Sequence, residues 1–131
     1  MPLRLIPAIQ RAAHQIGHSL ATVEGLDVNI SEAHILAHLT EHGATTIDGL
    51  HKALGVHHST MTSVLKRLVS RRLVTRRVFP MDRRSFVVNL TPKGRAVARR
   101  VADAFTAIDS TALGGVSSST RAELIRILLR F

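Results

Sequence analysis

The strongest constraint on the fold of this 131-residue chain is a pair of helical segments joined by a glycine. Apolar spacing predicts a short helix through Ile47, Leu50 and Leu54 and a second helix over His58–Arg71. Gly55 lies between them and supplies the backbone freedom that a tight turn requires. The side chains predicted to face inward from the second helix are Met61, Val64, Leu65 and Leu68. This order is that of a helix-turn-helix.

A β-hairpin is predicted directly after the second helix. Residues Leu73–Phe79 and Ser85–Leu90 are rich in β-branched and aromatic side chains, and they flank a turn at Pro80–Arg83. The sequence therefore predicts a mainly α fold with a small β-hairpin wing.

Further helices are predicted on both sides of this segment. One covers residues 3–22, and the next takes Ser31 as its N-cap and ends before Gly43. On the other side, Thr91–Pro92 opens a long helix through Lys93–Asp109.

The C-terminal segment is predicted to form a final, separate helix. Gly114–Gly115 breaks the chain, and Thr120–Glu123 fits a capping box. The helix that follows is predicted to expose a broad apolar stripe made of Leu124, Ile125, Leu128 and Leu129.

Length and composition predict one domain over residues 1–131. A chain that is 45% hydrophobic can bury a core but has little room for a second folding unit. It contains no cysteine, which excludes disulfides and thiolate metal sites. No run approaches the ~20 apolar residues that span a bilayer. We expect a cytoplasmic protein that does not associate with membranes.

The positive charge is concentrated in one block. Thirteen of the eighteen Lys and Arg residues lie between positions 51 and 100, where Asp82 is the only acidic residue. Because the flanks carry as much acid as base or more, the formal net charge of +9 comes from this block. Focused charge of this kind is typical of a surface that binds nucleic acid.

The outer face of the helix over residues 58–71 is the candidate for base readout. Short hydrogen-bonding groups and one cation are predicted there: His58, Ser59, Thr62, Ser63, Lys66 and Ser70. Such groups suit the major groove of double-stranded DNA, where hydroxyls and amines meet base edges. The alternative is an ordinary solvated polar face.

The hairpin supplies the second group of candidate DNA contacts. Arg83 and Arg84 at its tip suit the negative potential of a narrow minor groove. Asp82 is predicted to orient an arginine, to cap the turn, or to do both. Arg76 and Arg77 are predicted to bind the phosphate backbone without sequence preference.

Four strings in this order resemble the MarR family of bacterial transcriptional regulators: Leu50–Thr62, Leu73–Arg77, Pro80–Arg84 and Leu90–Gly94. The resemblance implies a winged helix-turn-helix homodimer, with a DNA-binding lobe at residues 30–92 and dimerisation helices at 1–25 and 93–131. It also implies that residues 58–71 read the major groove of a pseudo-palindromic site, that Arg84 reaches the minor groove, and that Asp82 steadies the wing.

Three positions depart from the family pattern. Ser63 stands where the family often has a basic residue, so one contact with DNA is in doubt. His51 takes the place of a small alanine between two helices, and Arg72 replaces a glycine before the first wing strand. These two departures put the local packing and the local backbone geometry in doubt.

The chain contains eight histidines, several of them at helical spacing. His14 and His18 are one turn apart, and His34, His38 and His42 follow one helix face. In the family, effectors bind near the two helices that bear these histidines. His14, His18, His34 and His38 are therefore candidate ligands for a small-molecule effector of unknown identity. A metal site and a pH-responsive cluster are alternatives, as is no ligand role at all. We predict no metal and no cofactor.

Among function classes, a sequence-specific regulator, most often a repressor, ranks first. The second is an architectural protein that binds nucleic acid without sequence preference. RNA binding is disfavoured because the basic block has few aromatic side chains for base stacking. No nucleophile motif, phosphate-binding glycine motif or catalytic carboxylate pair is present, so we predict that the chain is not an enzyme.

Overall fold

A computed structural model describes residues 4–79 and 81–131, with the side chains of 79 and 82–85 left undescribed. Its elements, in chain order, are α1 (Leu5–Ala21), α2 (Ile30–His42), β1 (Thr45–Thr46), α3 (Ile47–Leu54), α4 (His58–Ser70), β2 (Val74–Phe79), β3 (Asp82–Leu90), α5 (Pro92–Leu113) and α6 (Ser118–Leu128). The fold is mainly α with a small antiparallel sheet, and the predicted winged helix-turn-helix is confirmed.

The predicted N-cap of α2 is wrong. Asn29, not Ser31, caps the helix, because its side-chain oxygen accepts the Glu32 N–H at 2.9 Å. The Glu32 carboxylate in turn accepts the Asn29 N–H at 3.2 Å. Asparagine followed three residues later by glutamate is a capping box, so two free N–H groups are satisfied at once and Ser31 lies inside the helix.

The predicted cap of α6 is also three residues too late. The Ser117 hydroxyl accepts the Thr120 N–H at 3.2 Å, so Thr120 lies in the first turn instead of capping it. The long helix α5 opens at Thr91 and Pro92 as predicted and runs to Leu113, ending at the predicted glycine break.

The sheet has the strand order β1-β3-β2. Strands β2 and β3 form the predicted hairpin, with Val74 opposite Leu90 and Arg76 opposite Val88. The short strand β1 was not predicted, because two residues are too few to show an alternating pattern. It pairs with the middle of β3, through Thr45 and Val88, and closes the sheet edge next to α3.

The core lies between the helices of the lobe and the inner face of the sheet. Its fully buried side chains include Leu20, Leu36, Leu50, Met61, Leu68, Val88 and Val101, so α1 to α5 and β3 all contribute. The four residues predicted to face inward from α4 are all buried. This confirms the orientation of α4, whose opposite face is left to solvent.

Hydrogen bonds at the start of α5 fix the wing to the lobe. The Thr91 N–H donates to the Leu73 carbonyl at 3.0 Å, and the Thr91 hydroxyl donates to the Arg72 carbonyl at 2.6 Å. The Lys93 ammonium donates to the Arg71 carbonyl at 3.2 Å. Three successive carbonyls between α4 and β2 are thus held by the first residues of α5. We call this contact the α4–α5 junction.

The two terminal helices carry apolar side chains that the described part of the chain does not cover. No residue of α6 is buried, although the Arg121 guanidinium binds both carboxylate oxygens of Asp109 on α5, at 2.9 and 2.7 Å. The exposed apolar side chains of α6 and of its C-cap residue are Leu124, Ile125, Ile127, Leu128 and Leu129. On α1, Leu5 and Ile6 are more than half exposed. The predicted apolar stripe of α6 is confirmed.

Gly94→Ala tests the α4–α5 junction. A Cβ at Gly94 would lie 1.8 Å from the Leu73 carbonyl oxygen, a backbone atom that cannot move without displacing the wing. We expect a loss of about 3 kcal/mol in the free energy of unfolding, at the upper end for overpacking. Urea titration followed by circular dichroism, at one fixed protein concentration, measures it.

Gly17→Ala is the matched control, because Gly17 lies inside α1 and a Cβ there meets no atom within 4 Å. Alanine should stabilise that helix by about 0.5–1 kcal/mol. Equal effects of the two substitutions would contradict the close approach at Gly94.

Candidate nucleic-acid interface

The exposed face of α4 contains all the residues predicted to lie there. His58, Ser59, Thr62, Ser63, Lys66 and Ser70 are exposed, on the side opposite the four buried residues. The Thr62 hydroxyl donates to the His58 carbonyl at 3.0 Å, and the Ser70 hydroxyl donates to the Arg67 carbonyl at 2.8 Å. In this arrangement those two oxygens are free to accept hydrogen bonds, while Lys66 offers a cation.

His58, the first residue of α4, is held by a contact that the sequence did not reveal. Its ring stacks on the ring of His51 in α3, with 4.2 Å between ring centroids and 25° between planes. The Nδ1 atom of His51 is buried and lacks a hydrogen-bond partner among the described residues. The sequence identified His51 as unusual but gave no sign of which residue it contacts.

The wing arginines at positions 76 and 77 lie on opposite faces of the sheet, because neighbouring residues of a strand alternate. Both side chains are exposed. The Arg76 guanidinium carbon lies 3.9 Å from the centroid of the Phe86 ring, a cation–π contact. Only Arg77 shares the outer face with Thr75 and Asn89. The two cations therefore form no continuous row.

The hairpin tip falls largely outside the described side chains. The backbone of Asp82, Arg83 and Arg84 belongs to β3, but nothing is described of their side chains. Their roles in the minor groove and in steadying the wing stay predictions. Met81, between them and β2, is 86% exposed.

A partly buried ion pair that the sequence did not predict fixes the end of α4. Arg71, directly after α4, donates to Glu32 Oε2 at 3.1 Å. The Glu32 side chain is 7% exposed and also closes the α2 capping box. The Asn29–Glu32 spacing was a readable sign of that cap, but it could not reveal the partner 39 residues away.

Arg72 adopts a left-handed backbone conformation with φ of 60°, the only non-glycine residue of the described chain to do so. A side chain in this region costs about 1–2 kcal/mol. At the position where the sequence put the backbone geometry in doubt, Arg72 thus adopts the positive φ that favours glycine, at the cost of strain. The conformation lets the chain leave α4 and bring the Arg72 carbonyl to Thr91.

Arg72→Gly should raise the free energy of unfolding by about 0.5–1 kcal/mol, since relief of the strain exceeds the extra entropy of glycine in the unfolded chain. Urea titration measures it. Arg71→Gly removes the same charge from a residue with φ of −84° and breaks the pair with Glu32, so it should destabilise. Stabilisation by both changes would point to charge repulsion, not backbone strain, at these positions.

The candidate ligand histidines do not form one cluster. The His34 ring meets the edge of Phe105 on α5, with centroids 5.7 Å apart, and His38 stacks on His42 at 4.3 Å. His14 and His18 are exposed on α1, and neither belongs to a ring pair of the described residues. Within the described chain, no three His, Asp or Glu side chains lie close enough to hold a metal ion.

Burial lowers the pKa of two of these histidines, His34 and His38. Desolvation against α5 lowers the pKa of His34 below its ordinary value of 6.5. Desolvation also lowers the pKa of His38, with a further decrease from His42 and an opposing increase from Glu41. The fold therefore favours neutral rings on this face of α2.

An open groove of about 460 Å³ lies on the outer face of the wing, next to the start of α5. Its lining residues include Thr75, Arg77, Val87, Asn89 and Pro92. None of the four candidate ligand histidines lines it.

His34→Phe tests the cost of protonating α2. Because the unfolded chain binds a proton at His34 more readily than the fold does, stability is present in full above pH 6.5 and is lost as the pH falls below it. Phenylalanine keeps an aromatic ring against Phe105 but has no ring nitrogen that can take up a proton. The free energy of unfolding, measured from about pH 7.5 to 5.5, should therefore fall less in the variant. Parallel pH profiles would show that His34 is not the source.

The helix-turn-helix and most of the hairpin match a known family. The model of the MarR family matches residues 28–86, which include α2 to α4 and most of the hairpin. The HTH-type transcriptional repressor NicR of Pseudomonas putida is 29% identical over 93 residues. That match covers 71% of this chain and 59% of the repressor, so the chain spans less than two thirds of that relative.

Solved structures match over nearly the whole chain. BpsR of Bordetella bronchiseptica, whose DNA binding is regulated by 6-hydroxynicotinic acid, has a TM-score of 0.78 and 24% identity, covering 97% of both chains. A mutant of MarR from E. coli complexed with operator DNA has a TM-score of 0.80 and 23% identity, covering 98% of this chain and 93% of that one. At these identities the structures establish the fold.

Proposed function

This chain belongs to the MarR family of transcriptional regulators, and on that premise we propose that it is a sequence-specific homodimeric repressor. It binds a pseudo-palindromic operator in double-stranded DNA and is released by a small-molecule effector. The family consists of regulators, not enzymes. The observation that carries the proposal is the exposed polar face of α4, the second helix of a helix-turn-helix that is followed by a cationic wing.

The chemistry of α4 favours readout of bases over general attachment to phosphate. Its exposed face has hydroxyls and an imidazole at successive turns and one lysine, Lys66. An architectural binder would be expected to carry lysine throughout that face. Hydroxyl and imidazole groups can accept or donate hydrogen bonds at base edges, which only specific readout uses.

The wing is proposed to hold the duplex beside α4. Arg83 and Arg84 would approach the minor groove, with Asp82 orienting an arginine. Arg77, exposed on the outer face, would bind phosphate. The Arg76 guanidinium lies over the Phe86 ring, which would hold its charge in place beside the DNA.

The uncovered apolar faces of α1 and α6 support the homodimer. Leu5 and Ile6 on one helix, and Ile125 and Leu129 on the other, would otherwise meet water. A two-fold axis through these helices would bury each face and place two α4 helices at half-sites about one helical turn apart.

The effector is proposed to bind near α2 and α5, where the His34 ring meets the edge of Phe105 and, further along α2, His38 stacks on His42. The regulation of BpsR by 6-hydroxynicotinic acid makes that compound the first probe. A compound that binds one arrangement of the lobes better than the other would change operator affinity by the same coupling free energy. None of the described helices could span a membrane.

Selection of a random duplex library on the purified protein tests this proposal, with sedimentation equilibrium run on the same sample. Enrichment of an inverted repeat, together with a dimer mass, is the expected result. Retention of DNA without a motif would indicate an architectural protein and overturn the proposal. Addition of 6-hydroxynicotinic acid to the selected complex then tests release.

Lys66→Ala should weaken binding to the selected site and reduce the slope of log affinity against log salt by about 0.9 per protomer, the contribution of one phosphate contact. Fluorescence anisotropy over a salt series measures both. Lys52→Ala is the control, because Lys52 lies on α3 with its ammonium 3.2 Å from Asp48. Its slope should change less. An unchanged slope for Lys66→Ala would place that side chain away from phosphate.

A further inference from the structure

His51 and His58 stack on each other at the turn between α3 and α4, and this contact suggests a role in DNA recognition. His58 opens α4, is exposed, and lies at the end of the helix proposed to enter the major groove. His51 lies behind it on α3, half-buried, with its ring 4.2 Å away and nearly parallel. One ring is therefore available to a partner, while the other is held by the protein.

We propose that His51 is a positioning residue for DNA recognition, and that its ring fixes the plane of the His58 imidazole and so contributes to base preference. The inference rests on the proposed function, since it concerns how the α4 face reads a site. An exposed side chain at a helix start has several accessible rotamers, and ordering it on DNA costs conformational entropy. A stacked ring limits those rotamers before DNA arrives.

The burial of His51 indicates that stacking, not hydrogen bonding, is what its ring provides. Its Nδ1 atom is buried and finds no partner in the described chain. A polar atom in that state destabilises the fold, so an apolar residue would suit the interior better. The flat ring contacts His58, and that contact is the feature an aliphatic residue could not supply.

Two variants of His51 distinguish the effect of a flat ring from the effect of side-chain volume. His51→Phe keeps a flat ring, and His51→Leu fills a similar volume without one. Both remove the unpartnered nitrogen, so both should fold. His58→Ala identifies the base positions that His58 reads. His42→Leu is the matched control, because it breaks the other stacked pair, His38 and His42 at 4.3 Å, on α2.

The first measurement needs no DNA. In the carbon–proton correlation spectrum of the free protein, the ring protons of His58 should show the upfield shift that a stacked neighbour causes. That shift should disappear in His51→Leu and persist in His51→Phe and His42→Leu. A His58 signal that is the same in His51→Leu as in the wild-type protein would overturn the inference, whatever the protein does with DNA.

The second measurement compares base preference at the selected site. His51→Leu should lose about three- to tenfold in discrimination at the positions where His58→Ala loses it, a fraction of what one base contact provides. His51→Phe and His42→Leu should retain it. A uniform loss of affinity with unchanged preference would make His51 merely structural and overturn the inference. If His58→Ala changes no position, the inference is also overturned. A wild-type protein that selects no motif would overturn the proposed function and the inference with it.

Discussion

The hydrogen bonds between the first residues of α5 and the carbonyls that follow α4 join the helix-turn-helix, the wing and the long helix. Thr91 reaches the carbonyls of Arg72 and Leu73, and its hydroxyl also accepts the Gly94 N–H at 2.9 Å. The same few atoms therefore cap α5, fix the wing and define where α4 ends. Gly94 allows this approach because it lacks a Cβ, and Arg72 adopts a strained backbone to complete it. The wing and the long helix therefore depend on the same contact.

The order of the elements could be predicted from the sequence because each has a strong local pattern. The inward residues of α4, the turn at Gly55 and the Thr91–Pro92 start of α5 all follow from spacing and from known preferences at helix ends. The errors lie where two good capping residues compete within a few positions. Asn29 and not Ser31 caps α2, because the Glu32 side chain completes a reciprocal pair of hydrogen bonds with Asn29. Ser117 and not Thr120 caps α6, because that helix starts before its apolar stripe.

The site was less accessible from the sequence, since its contacts join residues distant along the chain. Glu32 and Arg71 meet through the packing of α2 against α4, and Arg76 reaches Phe86 only through the register of the hairpin. Spacing placed His34, His38 and His42 on one face, but it could not show that His34 turns to Phe105 while the other two stack together. Local sequence determines which face a residue occupies, and tertiary packing determines what it contacts there.

Because α6 has no buried side chain, the folded fraction of the proposed dimer should depend on protein concentration. A helix of 11 residues with no buried side chain is too short to be stable alone in water. On the proposed dimer its order comes from the partner chain, so the folded fraction follows mass action. On that proposal, newly made chains at low concentration would expose this apolar surface to chaperones and proteases, and dilution would reduce the amount of folded dimer more steeply than in proportion. Operator occupancy would then respond to the rate of synthesis as a threshold, which the fold imposes without any effector.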